Sequence, residues 1–286
     1  MADTSNLDVG LPSITYLLRG VIDAIVEVKS LKAPVHSGSW GGPLPDPAMG
    51  LCKLLSTLTN SDGKIAIEGV YDDIKILSEK EKENLKSLPF NEENFKKQSG
   101  LLEDASLQKF EGASVYEQLW YLPSLTIVAM ESCALKDAAN QIMDSAKAKV
   151  GIRIVPNQDP KKVLDLLVEH LRKNAPEGYL VEVTPDENTG IWWETNIDKK
   201  VFDFACRALK KGYNKQPVFV GTGGSIPFIK PFSEALGGVP CILIGVEDPY
   251  CKAHSENESL LLDDFYKGII SNIYLYDELS NALTKE

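Results

Sequence analysis

The chain has 286 residues, 43% of them hydrophobic and 25% charged, a composition typical of a soluble globular protein with room for two domains. A formal net charge of -11, without any basic run, argues against nucleic acid or an anionic membrane as a partner. Five cysteines without CxxC spacing indicate neither a disulfide framework nor a cysteine zinc site. No apolar stretch reaches bilayer-spanning length and MADTSNLDVG does not resemble a signal peptide, so we expect a cytoplasmic protein.

The first part of the chain predicts strand, helix and a charged insertion. Residues 14–30 (ITYLLRGVIDAIVEVKS) are β-rich, and the alternation in VIDAIVEVK predicts a half-buried antiparallel strand. A helix is predicted over 46–58, because Asp46 suits its N-cap and Pro47 its first position. The charged, locally helical residues 60–117 are interpreted as an insertion on the outside of a domain.

A second unit of strand, helix and strand follows. An alternating strand is predicted over 146–156, a helix with an apolar face over 159–176, and another strand over 178–185. His170 lies in this helix beside charged residues, which favours a solvated position. The two units together predict an inserted α+β sandwich, with helices on one face of an antiparallel sheet.

The C-terminal part has the pattern of an α/β domain. It contains a helix over 198–213, the glycine loop GTGGSIPF, an apolar strand VPCILIGV over 239–246 and a helix over 262–280. This order is typical of a mainly parallel sheet with helices on both faces.

Segments of three kinds could carry chemistry. His254, in DPYCKAHSENES, follows the predicted strand 239–246, at the edge where open α/β sheets bind ligands; a surface histidine without a role is the alternative. The glycines of the loop 220–229 would let backbone N–H groups approach an anion. The spacing of the glycines fits neither a Walker loop nor a dinucleotide fingerprint. The alternative is a tight turn without a function. His36 sits in the glycine-rich APVHSGSWGG.

These segments together resemble a known family, the dinuclear-zinc metallopeptidases that include cytosolic non-specific dipeptidase, carnosinase, aminoacylase, acetylornithine deacetylase and glutamate carboxypeptidase. The dipeptidase branch is the most similar. The resemblance spans nearly the whole chain, in the family's order, through ADTSN, LRG, HSGSWGGPLPDPAMGL, SAKAKVGIRIVPNQDP, GGSIPF and GVEDPYCKAHSENESL.

The resemblance implies roles for individual residues. Asp3 and His254 correspond to terminal ligands of the two zinc ions, for which manganese or cobalt are alternatives. His36 corresponds to a histidine that reaches across a dimer interface and stabilises the tetrahedral oxyanion in the partner's active site. Arg153 corresponds to the arginine that binds the substrate carboxylate, and Asn140, Gly223, Gly224 and Ser225 match other substrate-binding positions.

The family's remaining metal ligands and its general base precede the ADTSN motif, and they are not in this sequence. Thr222 stands where the dipeptidase branch often has glutamate. We therefore expect an N-terminally truncated zinc-dependent hydrolase of short peptides that is inactive on its own. The alternative is a non-catalytic dimerisation or regulatory module derived from such a peptidase.

The implied domain organisation is an inserted lid in a divided α/β catalytic domain. Residues 1–19 and 189–286 are assigned to the catalytic domain, and residues 20–188, with the helical insertion at about 60–117, to the lid. A homodimer through the lid is expected, with a small peptide or an N-acyl amino acid as substrate and neither nucleic acid nor membrane as a partner.

Overall fold

The computed structural model describes residues 1–187 and 189–283, without the side chains of residues 2, 3, 282 and 283. Strands of this part of the chain form two larger sheets and one short pair. No helix within it is both long and apolar enough to cross a bilayer.

The first sheet is mixed. It is built from β1 (Ala2–Ser5), β2 (Ser13–Leu18), β9 (Trp193–Glu194), β10 (Val218–Thr222) and β11 (Leu243–Glu247). The strand order is β1-β11-β2-β10, and β9 pairs with β2. The predicted parallel pairing is present between β1 and β11 and between β2 and β10, whereas β11 and β9 run antiparallel to β2.

The second sheet is antiparallel, as predicted. Its order is β5 (Ser124–Glu131), β7 (Ser145–Ile154), β3 (Gly20–Lys29) and β8 (Leu180–Pro185). The alternating burial of β3 agrees with the pattern in VIDAIVEVK. The sequence 14–30 is nevertheless divided at Arg19, because β2 belongs to the first sheet and β3 to the second.

Helices α2 (Pro47–Ser56) and α6 (Pro160–Lys173) pack on the second sheet. Both begin as predicted: Asp46 Oδ1 accepts a hydrogen bond from the Ala48 N–H (2.8 Å), and Asp159 Oδ1 accepts one from the Lys161 N–H (2.7 Å). Their buried residues, such as Leu54 and Leu167, form one core with the inner face of β3 and β7.

The first sheet carries cores on both faces. On one face α7 (Lys200–Tyr213) and α9 (Leu262–Leu283) pack together and cover Ile14 of β2. On the other, Leu17 of β2 packs against Trp120. Trp120 ends α5 (Val115–Trp120), which packs against α3 (Glu79–Ser87); α4 (Glu92–Ser99) lies between them in the chain. The charged segment after residue 60 contributes apolar side chains to both cores. Ile65, Ile67 and Val70 join the core of the second sheet, and Leu77, Leu85 and Tyr116 pack against the first sheet.

The remaining elements are short. β4 (Val35–His36) pairs with β6 (Gln141–Ile142), and α1 (Ser37–Trp40) follows β4 directly. A 3₁₀ turn covers Leu135–Asp137, and α8 (Ile229–Ala235) follows the glycine loop. The predicted strand 239–246 is shorter than expected, because its first residues belong to the irregular connection from α8 to β11.

Candidate active site

Arg153 lies near the end of β7, in a row of residues that crosses the second sheet. Ser124 of β5 is directly opposite it on one side and Val21 of β3 on the other, and Gly190 forms a bridge with Val21. Directly opposed residues project from the same face of a sheet. The side chains of Ser124, Arg153 and Val21 therefore share one face.

Arg19, between β2 and β3, reaches into this row. Its Nη1 donates hydrogen bonds to Ser124 Oγ (3.1 Å) and to the Leu122 carbonyl oxygen (3.4 Å). The residue is only 8% exposed, and its buried Nε has no hydrogen-bond partner among the described residues. Burial is the main reason that the pKa of Arg19 is lowered to about 10, and the positive charge of Arg153 adds to it. Two guanidinium groups thus lie close enough to repel each other.

Within residues 1–187 and 189–283, neither Arg19 nor Arg153 is paired with an acidic side chain. Arg207, by contrast, lies 2.8 Å from a carboxylate oxygen of Glu278. A buried guanidinium without a counter-ion is unfavourable. The pair therefore has the electrostatics of an anion site, and a carboxylate is the group whose geometry a guanidinium matches.

The glycine loop after β10 lies against this pair of arginines. A Cβ atom on Gly223 would lie 2.8 Å from Arg19 Nη2, so glycine lets the backbone approach the guanidinium. The Thr222 carbonyl oxygen also accepts a hydrogen bond from the Arg19 main-chain N–H (3.1 Å). A Cβ atom on Gly224 would make only ordinary contact with Thr222 Cγ2, at 3.6 Å.

Ser225 reaches the same row from the loop. Its Oγ would lie 3.1 Å from a Cβ atom placed on Gly190, which neighbours Val21. The structure thus brings together Arg153, Gly223 and Ser225, three of the positions that the resemblance singled out.

Neither Arg19 nor Ser124 had a predicted role from the sequence. The available signal for Arg19 was a charged residue inside the apolar run YLLRGV. Ser124 gave no comparable signal, and the strand that it begins was not predicted. Both residues acquire their position from the contact between the two sheets.

His254 lies in the loop that follows β11, as predicted, and its side chain is exposed. The loop is tightly turned: Asp248 Oδ1 accepts a hydrogen bond from the Tyr250 N–H (2.8 Å), and Lys252, His254 and Asn257 have left-handed φ angles of 57°, 62° and 60°. A left-handed residue other than glycine costs about 1 kcal/mol. Backbone strain of this kind is concentrated at functional sites.

His36 and Asn140 are neighbours, at the pairing of β4 with β6. His36 is opposite Gln141, and the Asn140 carbonyl oxygen accepts a hydrogen bond from the Ser37 N–H (2.8 Å). His36 caps α1: its Nδ1 accepts hydrogen bonds from the N–H groups of Gly38 (3.1 Å) and Ser39. Both side chains are exposed, and they do not belong to the Arg19–Arg153 row.

The predicted metal ligands lie in β1 and in the loop after β11, and these two strands pair in parallel. Asp3 lies in β1, which pairs with β11, but its side chain is outside the described residues. Among the described residues, no group of three or more His, Cys, Asp or Glu is placed to hold a metal ion. Zinc sites use three or four protein ligands. The described residues therefore do not form a zinc site by themselves.

Comparison with known proteins agrees with this architecture. Residues 16–178, more than half of the chain, match the peptidase dimerisation domain of the M20 family. The chain belongs to the M20 peptidase family, and its mixed α/β fold matches solved members of that family.

Similar curated proteins are dipeptidases. The chain is 32% identical to the Cys-Gly metallodipeptidase of Candida albicans, over 90% of this chain and 53% of that protein. It is 29% identical to the cysteinylglycine-S-conjugate dipeptidase of Corynebacterium striatum, over 91% of this chain and 55% of that protein. The chain thus spans about half the length of the curated relatives it matches.

Solved structures give the same result. The di-peptidase Dug1p of Saccharomyces cerevisiae matches with a TM-score of 0.86 and 28% identity, over 98% of this chain and 58% of that one. An M20 family metallo-carboxypeptidase from Sulfolobus solfataricus matches with a TM-score of 0.79 and 26% identity, over 95% of this chain and 61% of that one.

Proposed function

We propose that this chain takes part in metal-dependent hydrolysis of short peptides, as a dipeptidase-like or carboxypeptidase-like enzyme. The observation that carries the proposal is the pair Arg19 and Arg153, which lacks an acidic partner and lies beside the glycine loop at Gly223. A peptide with a free C-terminus supplies a carboxylate that such a pair binds. The names of the relatives, Cys-Gly metallodipeptidase and metallo-carboxypeptidase, support the same reaction.

In this proposal the substrate, a small peptide or an N-acyl amino acid, places its carboxylate on Arg153. The loop residues Gly223, Gly224 and Ser225 hold its backbone. Their backbone can approach a ligand closely because neither glycine carries a side chain. The contact of Gly223 with Arg19 supports this placement.

We further propose that Asp3 and His254 each contribute one ligand to two zinc ions, for which manganese or cobalt could substitute. A neutral imidazole on an exposed loop is a suitable zinc ligand, and a bound metal would polarise the scissile carbonyl group. The parallel pairing of β1 with β11 supports a shared position at one edge of the first sheet. The other ligands would be supplied by a second polypeptide segment, such as the part of the yeast dipeptidase that this chain does not match.

The protein acts as a homodimer in this proposal, and His36 and Asn140 act on the partner's active site. Two features support it. His36 and Asn140 are adjacent and exposed, away from the Arg19–Arg153 row. The edge strand β5 also exposes apolar side chains, among them Val128 and Met130.

We also propose that residues 20–188 form a lid inserted in a catalytic domain made of residues 1–19 and 189–286. The second sheet and its core with α2 and α6 use residues between 20 and 188, whereas the first sheet uses β1, β2 and the strands after residue 189. The proposed boundary at residue 188 lies outside the described residues. The cytoplasmic location stays a prediction.

The experiment measures zinc content and dipeptide hydrolysis for this chain alone and mixed with the part of the yeast dipeptidase that it does not match. We expect little stoichiometric zinc and no hydrolysis from the chain alone, and zinc-dependent cleavage from the mixture. His254→Ala should abolish that cleavage. Arg153→Met should raise KM strongly, while Arg172→Met, at an exposed arginine of α6, should not change it.

Two other results would contradict the proposal. Tight binding of two zinc ions with turnover by the chain alone would show that the metal site is assigned to the wrong residues. A mixture that binds zinc and dimerises, yet cleaves no peptide or N-acyl amino acid, would favour the non-catalytic dimerisation or regulatory module instead.

A further inference from the structure

Arg19 has an unfilled hydrogen-bonding edge. A guanidinium binds a carboxylate most strongly through two parallel N–H groups. Nη1 of Arg19 is occupied by Ser124 Oγ and the Leu122 carbonyl oxygen, whereas Nε has no partner among the described residues. A Cβ atom on Gly223 would lie 2.8 Å from Nη2 and 3.5 Å from Nε, so this edge faces a glycine.

The unpaired Nε–H distinguishes Arg19 from a buried arginine that has a purely structural role. A buried donor without a partner costs about 1 to 3 kcal/mol. The neighbouring charge of Arg153 adds to that cost, since it opposes protonation of Arg19. A ligand with one negative charge, bound beside Arg19 and Arg153, would remove both unfavourable terms. It would accept a hydrogen bond from the unpaired Nε–H and would reduce the repulsion between the two guanidinium groups.

We infer that Arg19 is a second substrate-binding arginine, which together with Arg153 holds the C-terminal carboxylate of a short peptide. The inference rests on the proposed function and narrows its substrate class to peptides with a free C-terminal carboxylate. Ser124 has a positioning role here: it is opposite Arg153 on β5 and holds Nη1 of Arg19, so it sets the spacing of the two guanidinium groups.

Direct binding to the 286-residue chain tests this inference without any requirement for metal or turnover. The probes are glycylglycine and glycylglycinamide, which differ in the terminal carboxylate, titrated by calorimetry at constant ionic strength. We expect the wild-type chain to bind glycylglycine at least tenfold more tightly than the amide. Arg19→Met should reduce that preference several-fold, because only Arg153 remains, and Arg19→Lys, which keeps a charge but not the planar fork, should restore part of it.

A second pair of variants covers the case in which Arg19→Met does not fold. Gly223→Ala keeps Arg19 but places a methyl group against its free edge, whereas Gly268→Ala, in α9 and outside the proposed site, makes only ordinary contact with Val246. We expect Gly223→Ala to weaken glycylglycine binding at least tenfold and Gly268→Ala to leave it within about twofold. The Arg19 Nε–H resonance in NMR spectra should shift on addition of glycylglycine but not of the amide.

The inference fails if the wild-type chain shows no preference for the carboxylate. It also fails if folded Arg19→Met binds glycylglycine as well as the wild type while Arg153→Met does not. Arg19 would then have only a structural role, through its hydrogen bond to the Leu122 carbonyl oxygen. Failure of the proposed function would give a different result from failure of this inference. The chain would still prefer the carboxylate, and Arg19→Met would still weaken that preference, but no metal-loaded assembly would cleave the peptide.

Discussion

The main-chain N–H of Gly38 donates a hydrogen bond to Nδ1 of His36 over 3.1 Å, and the N–H of Ser39 donates to the same atom over 3.3 Å. A nitrogen that accepts from backbone N–H groups carries no proton itself. The neutral ring must then carry its proton on Nε2. His36 therefore presents a hydrogen-bond donor to solvent, which is the form that a donor to an oxyanion requires.

His36→Asp tests this relationship, because its carboxylate can still cap α1 but has no N–H to donate. In the active assembly we expect turnover to fall roughly a hundred- to thousandfold, as for other oxyanion donors, with unchanged metal content. His36→Ala should lose the same turnover and also loosen residues 37–40. Hydrogen exchange of those amides separates the two variants. Equal turnover in His36→Asp and wild type would contradict the donor role.

Sequence patterns predicted the parts of the fold that depend on local signals. Asp46 and Asp159 each precede a proline, and both cap the expected helices. The alternation around Arg153 predicted β7. The strand that starts at Ser124 was not predicted, because its side chains are mostly exposed and show no clear alternation of burial.

The candidate site was predicted only as separate motifs. Gly223 and Arg153 were singled out individually, but their common neighbour Arg19 depends on how β2 of one sheet meets β7 of the other. Such contacts join residues more than a hundred positions apart, and no periodicity records them. The same holds for Tyr116, which packs against the first sheet from the segment 60–117, whose composition suggested only charged surface helices.

Gly20 should not tolerate a side chain, because it begins β3 where the two sheets meet. A Cβ atom there would lie 2.3 Å from the Gly190 carbonyl oxygen and 2.6 Å from Ile154 Cγ1. We expect Gly20→Ala to lower the free energy of unfolding by about 1 to 3 kcal/mol, as overpacking does. Urea denaturation measures it, with Gly224→Ala as the control. A loss no larger than that of the control would show that the two sheets separate easily at this point.

His170 should make stability depend on pH. Its Nε2 lies 3.0 Å from Thr57 Oγ1, so it links α6 to the end of α2 and is less solvated than its charged neighbours suggested. Burial is the main cause that lowers the pKa of His170 below its usual value of 6.5; the hydrogen bond to Thr57 opposes this shift and Lys173 adds to it. The unfolded chain thus binds this proton more readily, and stability is lost as pH falls below about 6.5.

Urea unfolding between pH 5 and 8 measures this effect. His170→Gln should flatten the part of the profile just below pH 6.5, whereas Arg172→Gln, at an exposed residue of the same helix that does not titrate in this range, should leave the slope unchanged. A profile for His170→Gln that parallels the wild type would show that protonation of His170 is not coupled to folding.

If two copies pair through an edge of the second sheet, we expect that edge to be β5. β5 and β8 are the edge strands, and both expose apolar side chains: Val128 (57%) and Met130 (53%) on β5, and Leu180 (58%) on β8. Helix α2 packs on β7 and β3, nearer to β5, and exposes Met49, whereas α6 packs nearer to β8. Apolar surface on a strand and on the helix beside it favours β5 as the dimer edge.

The double variant Val128→Lys/Met130→Lys should therefore sediment as a monomer at micromolar concentration, because charged side chains on an edge strand oppose pairing. Leu180→Lys, at an equally exposed residue of the other edge, should remain a dimer. In the active assembly the β5 variant should lose as much turnover as His36→Ala and keep glycylglycine binding, since Arg19 and Arg153 belong to one subunit. A wild-type monomer would contradict the homodimer, and a Leu180→Lys monomer would move the interface to β8.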